Sequence, residues 1–208
     1  MKQQREFLGS KEFGPRFRDA VARIDEENGR DPTLVVVDQV AYPQELLYAM
    51  RLTEWVLRLK PDASEHLLLA ARSQHICRWT ISRNSYEMNR VGYLRWRTDL
   101  KQFHAHKTGE ILRGVGYDDA TITQVCDLNL KKKLGRDPEC QVLEDALCLV
   151  TLQYQLADLV AKTDPTKMIS ILQKTWKKMS PLAREHALKI QYSETEKRLI
   201  AQALDEAD

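Results

Sequence analysis

The sequence contains little glycine and no long apolar run. The lack of a long apolar run argues against a membrane-spanning protein. Only 8 of the 208 residues are glycine, and no apolar stretch approaches the roughly 18–20 residues that a membrane-spanning helix requires. Residues 1–7 (MKQQREF) contain no apolar signal core. We therefore expect no membrane partner and a cytoplasmic location.

The four cysteines are also poorly spaced for a zinc ribbon, because none of them forms a CxxC pair. Four cysteines could form two disulfides. In a helix-rich chain without a secretion signal, however, they are more typical of free thiols in a reducing compartment. The motifs GxxxxGK[ST], GxGxxG, GxSxG and HExxH are absent as well. Their absence removes the commonest nucleotide-binding, serine-hydrolase and zinc-protease signatures.

The charge balance gives no global reason to bind nucleic acid or a membrane. Lysine and arginine exceed acidic residues by only 2, while 43% of the residues are hydrophobic and 30% are charged. These proportions are typical of a soluble globular protein. Nucleic acid is therefore not the favoured partner, although a local basic cluster leaves it open.

Proline and glycine positions predict an almost wholly helical chain. Proline at the first helical position costs no hydrogen bond, and glycine favours helix ends. The helix starts that these rules predict are Pro15, Pro43, Pro138, Pro165 and Pro181, with N-caps at Asp137, Asp164 and Ser180 and stops at Gly29, Gly116 and Gly135. The predicted fold is an all-α, single-domain helical bundle over residues 15–208, after 14 disordered residues.

The expected helices cover 15–28, 43–59, 63–79, 91–114, 119–134, 138–162, 166–178, 181–190 and 193–206. Residues 33–40 have strand propensity, but no partner strand is evident, so we expect an extended segment packed on the core. Residues 80–90 are rich in turn formers and predict an ordered functional loop.

Two histidines and an acidic pair lie where predicted helices turn apolar faces inward. His75, His104 and Asp145 fall on three different helices, and the interior of a bundle is where such side chains converge on metals. Imidazole and carboxylate are ligands for zinc, iron and manganese. A single buried histidine is, however, more often a hydrogen-bonded core residue, and Glu144 or Asp145 could simply pair with a cation.

A basic and aromatic cluster surrounds the first histidine and suggests an anion site. Arginine forks match phosphate or carboxylate oxygens, and tyrosine can stack on a base. The candidate ligand-binding residues are Arg72, Arg78, Arg83, Tyr93, Arg97 and Lys174. We predict that Arg72, His75, Arg78 and Trp79 share one helix face. The alternative is a solvated basic face, with Lys174 serving only the end of its helix.

Several segments resemble an uncharacterised family catalogued as a domain of unknown function, number 4202. They are residues 71–79, 92–97, 103–105, 116–117, 141–145 and 174–180. Some members of that family are labelled glutamyl-tRNA synthetase, but this chain contains neither the HIGH nor the KMSKS motif of those enzymes.

The order of the two histidines and the acid is also similar to that of HD-domain phosphohydrolases. The resemblance implies an HD-like helical core in which His75, His104 and Asp145 hold a divalent manganese, iron or zinc ion. Ala105 stands where the second acid of the HD doublet belongs, so Glu144 could be recruited instead. The resemblance to HD-domain enzymes implies a hydrolase that acts on an anionic phosphorylated small molecule or nucleotide. Its catalytic acids would be Glu144 and Asp145. The alternative is a non-enzymatic module that binds an anionic ligand or RNA.

Overall fold

A computed structural model describes residues 13–205 and confirms the all-α fold. The only exception to helix among regular elements in this range is one two-stranded hairpin. The predicted disorder of residues 1–14 lies outside the described residues except at its end, where Phe13 is buried and stacks on Phe17. No helix in the described range is long and apolar enough to cross a membrane.

Contacts divide the chain into two compact units, the first ending at Cys140 and the second beginning at Gln141. That residues 15–208 form a single domain stays a prediction. The first unit contains α1 (Pro15–Asn28), β1 (Leu34–Val37), β2 (Val40–Pro43), α2 (Gln44–Leu59), α3 (Glu65–Ser73), α4 (Arg90–Gly114), α5 (Asp119–Leu130) and the first residues of α6 (Pro138–Tyr154). Short 3-10 turns at Arg78–Thr80 and Arg83–Ser85 precede α4.

Helix α3 is the centre of the first unit, because it packs against α1, α2 and α5. It begins where the Ser64 hydroxyl accepts the amide proton of Leu67, which is ordinary N-cap chemistry. Every residue from Leu67 to Ser73 is buried. Its leucines and alanines therefore need neighbours on all sides, which explains the position of the helix.

The segment 33–40 is not a lone extended stretch, and this expectation was wrong. Leu34–Val37 pairs antiparallel with Val40–Pro43, across a tight turn in which Asp38 and Gln39 both have positive φ angles. The second strand was hidden in the sequence because its proline ends the strand and also precedes α2.

The second unit consists of the rest of α6 with α7 (Leu156–Lys162), α8 (Pro165–Lys178), α9 (Pro181–Leu188) and α10 (Glu194–Asp205). The Asp164 carboxylate accepts the Lys167 amide proton and the Ser180 hydroxyl accepts that of Ala183, so two of the three predicted N-caps are confirmed here. The predicted helix 138–162 is interrupted at Gln155, whose φ of −125° leaves the helical region. No proline or glycine marks that break.

Candidate functional site

The segment that carries His75 is a turn, and the expected helix over 63–79 ends at Ser73. Cys77 then takes a left-handed conformation with φ of 52°, and its amide proton is accepted by the Asn28 side-chain oxygen at 3.3 Å. A left-handed non-glycine residue reverses the chain direction locally. The predicted face shared by Arg72, His75, Arg78 and Trp79 is therefore wrong, because no helix continues through these residues.

His104 lies on α4, where one of its ring nitrogens is hydrogen-bonded and the other has no hydrogen-bond partner among the described residues. Its Nδ1 lies 2.8 Å from the carbonyl oxygen of Ile76, and because a carbonyl only accepts, Nδ1 carries the proton. Nε2 is buried and has no hydrogen-bond partner among the described residues. Burial, followed by the neighbouring His75, lowers the pKa of His104 to about 3. The ring is therefore a neutral imidazole with an unused lone pair.

His75 lies beside this ring, with the two ring centroids 5.8 Å apart. Its other face stacks on Tyr48 at 4.2 Å, and its Nδ1 lies 3.5 Å from Oε2 of Glu45. Burial is the main reason that the pKa of His75 falls well below its usual value, and the charges of Arg78, Lys131 and Arg97 lower it further. The structure thus brings together the two histidines that the sequence singled out, both of them neutral.

Glu45 is a member of this cluster that sequence reasoning missed. It lies in the first turn of α2, where its amide proton is accepted by Asp31, and its side chain is 6% exposed. Burial raises the pKa of Glu45, while Arg78, 3.9 Å away through Nε, opposes that rise. An acid in the first turn of a helix is common for reasons of the helix dipole, so its sequence position carried no functional signal.

Arginine and aromatic side chains continue outward from the histidines. The Arg78 guanidinium lies over the Trp96 ring at 4.8 Å, and that of Arg97 lies over Tyr93 at 5.8 Å. Trp96 is fixed by its indole N–H, which donates to the Ile81 carbonyl. Three of the candidate ligand-binding residues, Arg78, Tyr93 and Arg97, therefore share one neighbourhood beside the imidazole pair.

Arg72 and Arg83 have structural partners instead. Arg72 is buried and donates to both oxygens of Asp25 in α1, at 2.5 and 2.7 Å. Arg83 donates to the carbonyl oxygens of Tyr86, Glu87 and Asn89, which organises the loop before α4. Their role in ligand binding stays a prediction, since their guanidinium groups are already engaged.

The acidic pair belongs to the second unit. Oδ1 of Asp145 accepts the Gln141 side-chain amide and the Ser180 backbone amide, both at 2.9 Å. Oε1 of Glu144 lies 3.5 Å from Nζ of Lys178, and Lys174 is exposed on α8. Their assignments as metal ligand, catalytic acids and phosphate contact stay predictions.

A family model described as a domain of unknown function (DUF4202) matches residues 18–200. The chain belongs to this family. No curated protein and no solved structure matches it, so the similarity to HD-domain phosphohydrolases and the synthetase label gain no support. The matched region contains the imidazole pair, Glu45 and the neighbouring arginines.

The first unit thus offers two adjacent neutral imidazoles, one buried acid and nearby guanidinium groups. In the described part of the chain, no three histidine, cysteine or acidic side chains stand close enough to form a complete metal site. Two adjacent imidazoles can still supply two nitrogen ligands to a metal ion. The guanidinium groups beside them would attract an anion that approaches this metal.

Proposed function

We propose that this chain is a cytoplasmic, metal-dependent phosphohydrolase acting on a phosphorylated small molecule or nucleotide. The observation that carries the proposal is the bare Nε2 of His104, buried with no partner among the described residues. A buried acceptor without a partner costs about 1–3 kcal/mol. A fold has reason to tolerate that cost where the lone pair is used.

The two imidazoles fit a divalent metal because of how their other nitrogens are held. Metal-binding histidines usually direct the second ring nitrogen at a backbone carbonyl or a carboxylate, which fixes the tautomer. Nδ1 of His104 lies 2.8 Å from the Ile76 carbonyl oxygen. Nδ1 of His75 lies 3.5 Å from Oε2 of Glu45, a contact longer than a hydrogen bond, and this oxygen has no hydrogen-bond partner among the described residues. Both Nε2 atoms are then the nitrogens that would hold manganese, iron or zinc.

The remaining roles follow from charge. When bound, the metal would supply a water of lowered pKa and polarise a phosphoryl oxygen. Arg78 and Arg97 would hold phosphate oxygens, and Glu45 would position His75.

Isothermal titration of metal-free protein with manganese and with zinc tests the proposal. We expect about one equivalent to bind the wild type and His104→Gln to reduce affinity at least roughly 100-fold, because one of few ligands is lost. His106→Gln is the matched control, since this side chain is 76% exposed on the same helix. Wild-type protein that binds neither metal, or equal losses in both variants, would contradict the proposal.

A second candidate is a non-enzymatic module that binds an anionic ligand with the same arginines. It is favoured by the lack of a three-residue metal group in the described range and by the cations that lower the pKa of His75. This module would bind inorganic phosphate or a nucleotide without metal, and phosphate release from a panel of phosphomonoesters would stay at background with manganese present.

A further inference from the structure

Arginine and aromatic side chains form a series of contacts that leads from Glu45, beside the imidazole pair, to the surface. Arg78 lies over Trp96 at 4.8 Å, the Trp96 and Tyr93 ring centroids are 6.0 Å apart, and Arg97 covers Tyr93 at 5.8 Å. The inner member, Arg78, is 31% exposed and contacts Glu45. The outer ring, Tyr93, is 42% exposed. We call Arg78, Trp96, Tyr93 and Arg97 the stacking track.

The segment that carries the stacking track concentrates positive charge. Residues 78–97 contain five arginines against one acid, Glu87, whereas the whole chain has a net charge of only +2. The remaining residues are therefore slightly negative, and the basic character of the chain is local. Arg90 and Arg95 are exposed at the start of α4, and neither forms an ion pair or a side-chain hydrogen bond within the described range.

Apolar surface accompanies this charge. Met88, Val91 and Leu94 are 76%, 72% and 53% exposed, and they lie in and just before the first turns of α4. Solvent-exposed arginines that serve only solubility have no need of uncovered aromatic and aliphatic neighbours. Phosphates paired with flat, stackable bases match this mixture, because each base offers a π face and each linkage a negative charge.

We propose that the stacking track, with Arg90 and Arg95, binds single-stranded nucleic acid and directs a terminal phosphate toward His75 and His104. The inference deepens the proposed function, on which it rests, by naming an oligonucleotide as the substrate class. Bases would stack on Tyr93 and against Trp96, and the exposed arginines would contact successive phosphates. An acidic peptide would meet the same charge but gain nothing from aromatic stacking, so it is the disfavoured occupant.

Fluorescence anisotropy with a labelled 12-nucleotide oligouridine tests this inference on the full chain, in EDTA so that no metal is present. We expect Arg90→Ala/Arg95→Ala to lower the slope of log affinity against log salt by about 1.4, or 0.7 per lost phosphate contact on a single strand. Tyr93→Ala should weaken binding by roughly 5- to 150-fold, the range measured for loss of one stacked base. Tyr93→Phe, which keeps the ring, should bind like the wild type.

Lys133→Ala/Arg136→Ala is the control, since it removes two exposed charges from the same unit. The inference is overturned if the wild type does not bind the oligonucleotide, if the control weakens binding as much as Arg90→Ala/Arg95→Ala, or if polyglutamate of equal charge competes equally well. His104→Gln separates the two proposals. Oligonucleotide binding should survive this change, whereas manganese affinity should fall at least roughly 100-fold, so either proposal can fail while the other stands.

Discussion

The imidazole rings of His75 and His104 lie with their centroids 5.8 Å apart and tilted by 36°. Nδ1 of His104 is hydrogen-bonded to the Ile76 carbonyl, whereas Nδ1 of His75 lies 3.5 Å from a Glu45 oxygen. Two side chains 29 residues apart in sequence are therefore adjacent, and Nε2 of His104 has no hydrogen-bond partner among the described residues.

Glu45 should act as a positioning residue for His75. We expect Glu45→Leu to weaken manganese affinity by roughly 10- to 100-fold, the usual effect of removing an outer partner of a ligating histidine. Glu45→Gln keeps an oxygen that can accept from Nδ1, so it should lose less. Titration calorimetry on both variants measures the difference.

Glu54→Leu is the control for that experiment, because Glu54 lies on the same helix and pairs with Arg58 near the surface. Its manganese affinity should equal that of the wild type. If Glu45→Leu also binds manganese like the wild type, Glu45 does not position His75.

Arg72 should support the fold of the first unit. Its ion pair with Asp25 is buried, with the side chains 5% and 8% exposed, and removal of one partner of such a pair costs about 3–5 kcal/mol. We expect Arg72→Ala to lower the free energy of unfolding by this amount in urea denaturation. Arg23→Ala, which loses an exposed pair with Asp19, should cost less than about 1 kcal/mol. Equal costs would show that the buried pair is not structural.

The free energy of unfolding should decrease as the pH is lowered, because His104 is buried in its neutral form. Its pKa is about 3 in the folded chain against an ordinary value of 6.5, so between these values the unfolded chain binds more protons. Stability is then complete above about pH 6.5 and is lost progressively toward pH 3. From pH 7 to pH 5 the contribution of His104 is a loss of about 2 kcal/mol, 1.36 kcal/mol for each unit below 6.5.

Urea denaturation of the wild type and His104→Gln at pH 7 and pH 5 measures this contribution by difference. His75, whose pKa is also lowered, acts in the same direction in both proteins. Glu45 has a raised pKa and acts in the opposite direction, destabilising the folded chain as pH rises through and above 4.5. The same pH dependence in both proteins would mean that His104 does not titrate as proposed.

Much of the fold could be read from local signals. Pro15, Pro138, Pro165 and Pro181 begin helices, because the fixed φ of proline and a preceding cap act within one turn. The hairpin and the break at Gln155 could not be read in this way. The hairpin depends on pairing between two short segments. The break depends on packing, and no proline or glycine near Gln155 predicts it.

The site was predictable only in part. Both histidines stood out because they interrupt apolar stretches, and they do lie together in the structure. Glu45 gave no such signal, since an acid in the first turn of a helix is ordinary. The face that Arg72 was expected to share with His75 and Arg78 was wrong, because the helix ends at Ser73 and no glycine marks the left-handed turn at Cys77. Long-range partners such as Asp25 are likewise invisible to periodicity.

X-ray absorption at the zinc edge of zinc-loaded protein shows whether His75 and His104 hold the metal, because imidazole gives a characteristic outer-shell scattering pattern. We expect two imidazole ligands with zinc–nitrogen distances of about 2.0–2.1 Å in the wild type, and one in His104→Gln. A first shell without imidazole, or an unchanged imidazole count in His104→Gln, would show that these two histidines do not hold the metal together.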